Sequence, residues 1–124
     1  DVLIDLGRLG HTHFATPLAR AADELLLVMR SDLPSVAAVS AAEVSSDAPV
    51  RGLLIGPNRP YTAHAVASVI KREIGVTLPW APEEAEVLSH GHPEPKRGLK
   101  LRKALRQAGE ELHTTSITAL GVSA

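Results

Sequence analysis

Cysteine is absent from the 124 residues. That excludes disulfides, thiolate zinc sites and a cysteine nucleophile together, and it suits a reducing, cytoplasmic setting. Aromatic side chains are almost as scarce. Phe14, Tyr61 and Trp80 are one of each kind, so a core has to be built from Leu, Val, Ile and Ala. The longest apolar run, Leu25 to Met29 with Ala21 and Ala22 just upstream, falls far short of the roughly 20 residues that cross a bilayer. No signal peptide is visible. Net charge is missing too: 13 basic against 14 acidic side chains leave −1, so a nucleic-acid or membrane partner would have to use a local patch. The remainder, 44 % hydrophobic and 22 % charged, is the balance of one ordinary globular domain.

Along the chain, short apolar runs alternate with longer helical stretches. Val2-Leu3-Ile4-Asp5-Leu6 reads as a buried strand, followed by the loop Gly7-Arg8-Leu9-Gly10. A short helix is expected over Phe14 to Ala22, with Pro17 in its first turn. Glu24 to Met29, rich in Leu and Val without alternation, reads as a strand covered on both faces. Pro34 opens a helix to about Ser46, and Val50 to Ile55 is a further non-alternating strand ended by Gly56-Pro57. Ala63 to Ile74 has Val66, Val69, Ile70 and Ile74 at helical spacing, with Gly75 as its stop. Val76 to Pro79 is a short strand, Pro82 opens an acidic helix over Glu83 to Ser89, and a helix from about Gly98 to Leu112 carries the stripe Leu101, Leu105, Ala108 and Leu112. The segment 113–124 is expected to be a loose tail.

Four strands alternating with helices follow the grammar of right-handed βαβ units. The expected fold is therefore α/β, a three-layer sandwich around a mostly parallel sheet. Ligands of such sheets bind beyond the carboxyl ends of the strands. Here those ends are Asp5–Gly10, Met29–Leu33, Gly56–Pro60 and Pro79–Pro82.

Three of these ends, in order, and the stretch that follows them resemble the MinD/ParA family of P-loop ATPases. Val2-Leu3-Ile4-Asp5 is similar to the family's hydrophobic strand ending in the Walker B or switch II aspartate. Ala21-Ala22-Asp23-Glu24-Leu25-Leu26-Leu27-Val28 with Leu33-Pro34-Ser35 resembles its next strand and proline-opened helix. Leu53-Leu54-Ile55-Gly56-Pro57-Asn58-Arg59 resembles the strand that ends in an Asn-Arg pair, and Leu78-Pro79-Trp80-Ala81-Pro82-Glu83 the segment that closes over the base. The resemblance covers about residues 1–112. It implies a partial P-loop NTPase-like fold whose intact protein binds ATP and magnesium, dimerises across the nucleotide and positions or partitions a cargo. It also implies roles for residues. Asp5 would organise magnesium indirectly, Asn58 and Arg59 would face the adenine, and Pro79, Trp80 and Pro82 would pack beside it. An amide suits a purine edge because it offers both a donor and an acceptor.

Two departures stand against ordinary hydrolysis. The switch-like loop lacks the family's proline and gains Arg8, and no Gly-x-x-x-x-Gly-Lys-[Ser/Thr] loop occurs in the chain. Together with the opening directly on Asp1 without a methionine, this gives the expectation of a carboxy-terminal fragment that does not hydrolyse ATP alone. A degenerate, non-hydrolysing scaffold and an unrelated Rossmann-like binding module remain as rivals.

Simpler roles exist for most of these residues. Asp5 can merely end a strand, Asn58 can be a turn residue, and Arg8 and Arg59 can be solvated. His11/His13 and His90/His92 have zinc-like i, i+2 spacing on loops, but no acidic residue at a convincing interval. The final helix has a charge layout that opposes its own dipole. Lys96, Arg97, Lys100, Arg102, Lys103 and Arg106 crowd its start, while Glu110 and Glu111 sit at its end. That layout points to an anionic partner, DNA, acidic lipid or protein, against the plainer reading of a solvated face.

Overall fold

The computed structural model describes residues 2–8, 16–44, 46–95 and 99–119. It is an α/β structure with the order α1 (Thr16–Ala21), β1 (Leu25–Arg30), α2 (Leu33–Ala41), β2 (Val50–Ile55), α3 (Ala63–Ile70), β3 (Ile74–Leu78), α4 (Pro82–His90) and α5 (Lys100–Ala119). The strands form one parallel sheet in the order β1-β2-β3. Leu25 registers with Val50 and Arg30 with Ile55, and Ile55 in turn with Leu78.

Two apolar layers fix which helix lies where. Leu27 and Met29 of β1 and Leu54 of β2 pack with Val36 of α2 and with Val66 and Ile70 of α3. Alternate residues point to the other face, where Val76 and Leu78 meet Ala108, with Leu53, Ile55, Ala104 and Leu112 around them. Helices on both faces of one sheet make the three-layer arrangement. The helix starts are chemically explicit. Asp32 Oδ1 accepts the Ser35 N–H at 2.9 Å to cap α2, and Thr62 Oγ1 accepts the Ala65 N–H at 3.1 Å to cap α3. At α5 the acceptor comes from another helix: Glu84 Oε2 takes the Leu101 N–H at 2.7 Å.

Several expectations need correcting. Residues 2–8 form no strand, and Val2, Leu3 and Ile4 are 84 %, 88 % and 58 % exposed. The described sheet has three strands rather than four. Its edge strand β1 pairs only with β2 among the described residues. β1 itself is not covered on both faces: burial alternates along it and Val28 is 61 % exposed. Helix α2 stops at Ala41 instead of Ser46. Helix α3 ends at Lys71, a left-handed cap at φ 55°, which frees Ile74 and Gly75 to become the first residues of β3. The expected loose tail is helical as far as Ala119. There the Thr114 and Thr115 hydroxyls donate to the carbonyls of Glu110 and Glu111 at 2.9 and 3.0 Å. No helix among the described residues is long and apolar enough to cross a membrane.

Candidate functional site

Beyond the carboxyl ends of the strands lies a cavity of about 240 Å³ lined by Arg30, Ser31, Asp32, Ile55, Gly56, Arg59 and Trp80. Each strand contributes its tip. The ladder continues into the loops: Ser31 N–H donates to the Ile55 carbonyl at 3.1 Å and Gly56 N–H to the Leu78 carbonyl at 2.8 Å. The buried Ser31 hydroxyl then joins two loops, donating to the Tyr61 carbonyl at 2.6 Å and accepting the Tyr61 N–H at 3.1 Å. A hydroxyl used in both directions holds the β1–α2 and β2–α3 connections at a fixed spacing.

The β2 exit is a tight turn with clear sequence logic. The Arg59 N–H donates to the Gly56 carbonyl at 3.2 Å, so Pro57 and Asn58 occupy the two central positions. Asn58 has φ 68°, the positive value that a type II turn demands at its third residue, where Gly and Asn are preferred. Gly56, at φ 70°, is held to glycine by a neighbour as well, since an added Cβ would stand 3.1 Å from Trp80 Cβ. That close approach seats Trp80 against the turn.

Charge is unevenly committed in the cavity. Arg30 Nε lies 2.9 Å from Asp32 Oδ2, and the guanidinium carbon lies 5.7 Å from the Trp80 ring centroid, within cation–π range. Hydrogen bonds from the Ser35 backbone and side chain, then the charge of Arg30, hold the Asp32 carboxyl below its ordinary value. Arg59 has no ion-pair partner among the described residues. Two guanidiniums against one carboxylate leave one net positive charge beside an indole. Such a lining suits a planar ring bearing an anionic group. The volume lies below the 300–1,000 Å³ of ordinary ligand sites, which limits it to a ring and a short substituent.

Of the residues singled out in the sequence, Arg59 and Trp80 therefore meet in one cavity. Asn58, Pro79 and Pro82 do not line it: Asn58 shapes the turn, Pro79 follows β3, and Pro82 opens α4. Arg30, Ser31 and Asp32 were not singled out, although the strand tip containing them was. Their signal was the proline-opened helix directly after a strand, with Asp32 in capping position.

Asp5 stands apart from the expected role. It is exposed, ends no strand, and its Oδ1 accepts the Gly7 N–H at 2.8 Å. On α5, Lys100, Arg102, Lys103 and Arg106 are exposed, with Arg102 paired to Glu94. Lys96, Arg97, His11 and His13 lie outside the described residues. The His90 and His92 rings are 6.0 Å apart, and no three His, Asp or Glu side chains gather into a metal-ligand set among the described residues.

Comparison of the chain with protein-family models, curated proteins and solved structures finds no match.

Proposed function

We propose that this chain is the carboxy-terminal portion of a MinD/ParA-like ATPase and supplies the purine-facing side of its ATP site. The intact protein would position or partition a cargo such as a chromosome, a plasmid, or division or secretion machinery, dimerising across the nucleotide. The supporting observation is that Arg59 and Trp80, drawn from two separate family-like segments, line one cavity beyond parallel strand ends, the place where open α/β sheets take ligands. Trp80 offers a stacking surface. Arg30 and Arg59 offer guanidiniums, which suit phosphate oxygens.

On this reading the described residues serve the base and the first phosphate, and supply neither a phosphate loop nor a metal-ligand set. The β- and γ-phosphates and magnesium would need a P-loop, absent from these residues, and Asp5 would act only in its company. The chain alone does not hydrolyse ATP. A second reading, a non-hydrolysing scaffold, draws support from Asp5, which is exposed and ends no strand. The exposed basic start of α5 would give either version a DNA contact. Reversing Lys100, Arg102 and Lys103 to Glu is then expected to weaken DNA retention at low salt and flatten its salt slope.

The test uses Trp80, the single tryptophan of the chain. Its emission is expected to change on adding AMP, ADP or ATP at similar millimolar midpoints, because the outer phosphates find no cradle. Arg59→Ala is expected to raise all three midpoints together. An ATP midpoint far below that of AMP would refute this division of labour.

A further inference from the structure

We propose that Arg30 selects the ligands of this cavity, acting as a shutter over Trp80 that opens for rings carrying their own negative charge. The inference rests on the purine-site reading and goes beyond it, by assigning specificity to a residue outside the family-like segments at Arg59 and Trp80.

Trp80 is the one aromatic side chain of the lining, so it is the surface on which a planar ligand would stack. Part of that surface is already taken, although Trp80 as a whole is 43 % exposed. The Arg30 guanidinium carbon sits 5.7 Å from the ring centroid. Its Nε is held 2.9 Å from Asp32 Oδ2, while the other Asp32 oxygen is fixed by the Ser35 N–H at 2.9 Å. The carboxylate that anchors the shutter is thus itself anchored to the start of α2.

A ring stacked on the indole face that the guanidinium overlies competes with it for that place. A neutral ring displaces Arg30 from the indole and offers it only water in exchange. A ring with an attached phosphate offers charge-assisted, bidentate hydrogen bonds to the departing guanidinium. Arg59, free of an ion-pair partner among the described residues, stands ready as a second contact. Opening is mechanically cheap: the Arg30 side chain is 54 % exposed and swings without disturbing the core.

Titration of Trp80 emission with AMP, adenosine and ribose 5-phosphate tests this on the whole chain. The wild-type midpoint for AMP is expected about ten-fold or more below that for adenosine. Arg30→Ser is expected to lower the adenosine midpoint several-fold and narrow its gap to AMP, which keeps its charge-assisted contact with Arg59. Asp32→Ser keeps a capping oxygen for α2 while releasing Arg30, and is expected to lower the AMP midpoint. Equal midpoints for AMP and adenosine in the wild type, or weaker adenosine binding in Arg30→Ser, would overturn the shutter and leave the purine site standing. Ribose 5-phosphate matching AMP would also overturn it, showing an anion site without a ring. Silence with all three ligands in both proteins, each checked for folding by circular dichroism, would remove the purine site and the shutter together.

Discussion

The two ends of the sheet each hold one arginine paired with one carboxylate, and they put the same chemistry to opposite uses. At the carboxyl end, Arg30 and Asp32 have side chains 54 % and 29 % exposed beside a cavity. At the amino end, Arg51 of β2 pairs with Glu24 just before β1, and the two are only 17 % and 15 % exposed. The Arg51 guanidinium lies across Gly75, where an added Cβ would stand 2.8 Å from Nη1, and its buried Nη2 has no hydrogen-bond partner among the described residues. Burial decides the outcome. A solvated pair contributes little to stability and is free to exchange partners. A desolvated pair is costly to break, because removing one member leaves the other charge uncompensated. The amino end is therefore a rivet and the carboxyl end a latch.

The sharpest way to break this comparison is at the rivet. Glu24→Ala is expected to cost about 3 kcal/mol by urea unfolding, since it strands Arg51 in a largely closed site. A cost as small as that of the exposed pair would erase the distinction. Next in size, Gly56→Ala is expected to cost about 1–2 kcal/mol, the penalty for placing an L side chain at φ 70°. Because the new methyl presses on Trp80 Cβ, its emission should move as well. An unchanged spectrum would mean that the turn does not seat the indole.

The smallest effect concerns Asp32. Its carboxyl is held below the ordinary value by Ser35 and Arg30. The stabilisation this gives is complete above about pH 4, the ordinary aspartate value, and is lost as pH falls through the lowered one. Asp32→Asn keeps a capping oxygen but loses this contribution, so it should be slightly less stable than the wild type at neutral pH and converge with it in acid. Its effect should appear as a shallower loss of stability below about pH 4. An acid limb identical to the wild type would show that the latch carboxylate has no favourable partners.

How much of this was legible beforehand varies with the physics involved. β2 matches its apolar run because a strand between two others is dictated by its own composition. β1 misled for the same reason: Leu25 to Met29 has the make-up of a strand covered on both sides, yet Val28 faces open space. The boundary of α3 misled because Lys71 takes the left-handed cap usually given to glycine, leaving Gly75 for the strand where Arg51 needs a residue without a side chain. Thr114 and Thr115 looked like a loose tail, yet both lie within α5, their hydroxyls donating to carbonyls one turn back.

Arg59 and Trp80, singled out through a likeness between segments, both line the cavity. Arg30 and Asp32 escaped because an i, i+2 charge pair on a strand tip is indistinguishable in sequence from two solvated side chains. Asn58 has a structural account of its own. Its φ of 68° and its place in the Gly56–Arg59 turn account for an asparagine there without any ligand.

The central claim, that a nucleotide enters the cavity at the carboxyl ends of the strands, is tested most directly by mapping amide and indole NMR shifts during an AMP titration. The largest changes are expected at Ser31, Gly56 and Arg59 and at the Trp80 indole, with Arg51 and Gly75 at the other end of the sheet unmoved. Shifts concentrated on the basic start of α5, with the Trp80 indole unchanged, would contradict it.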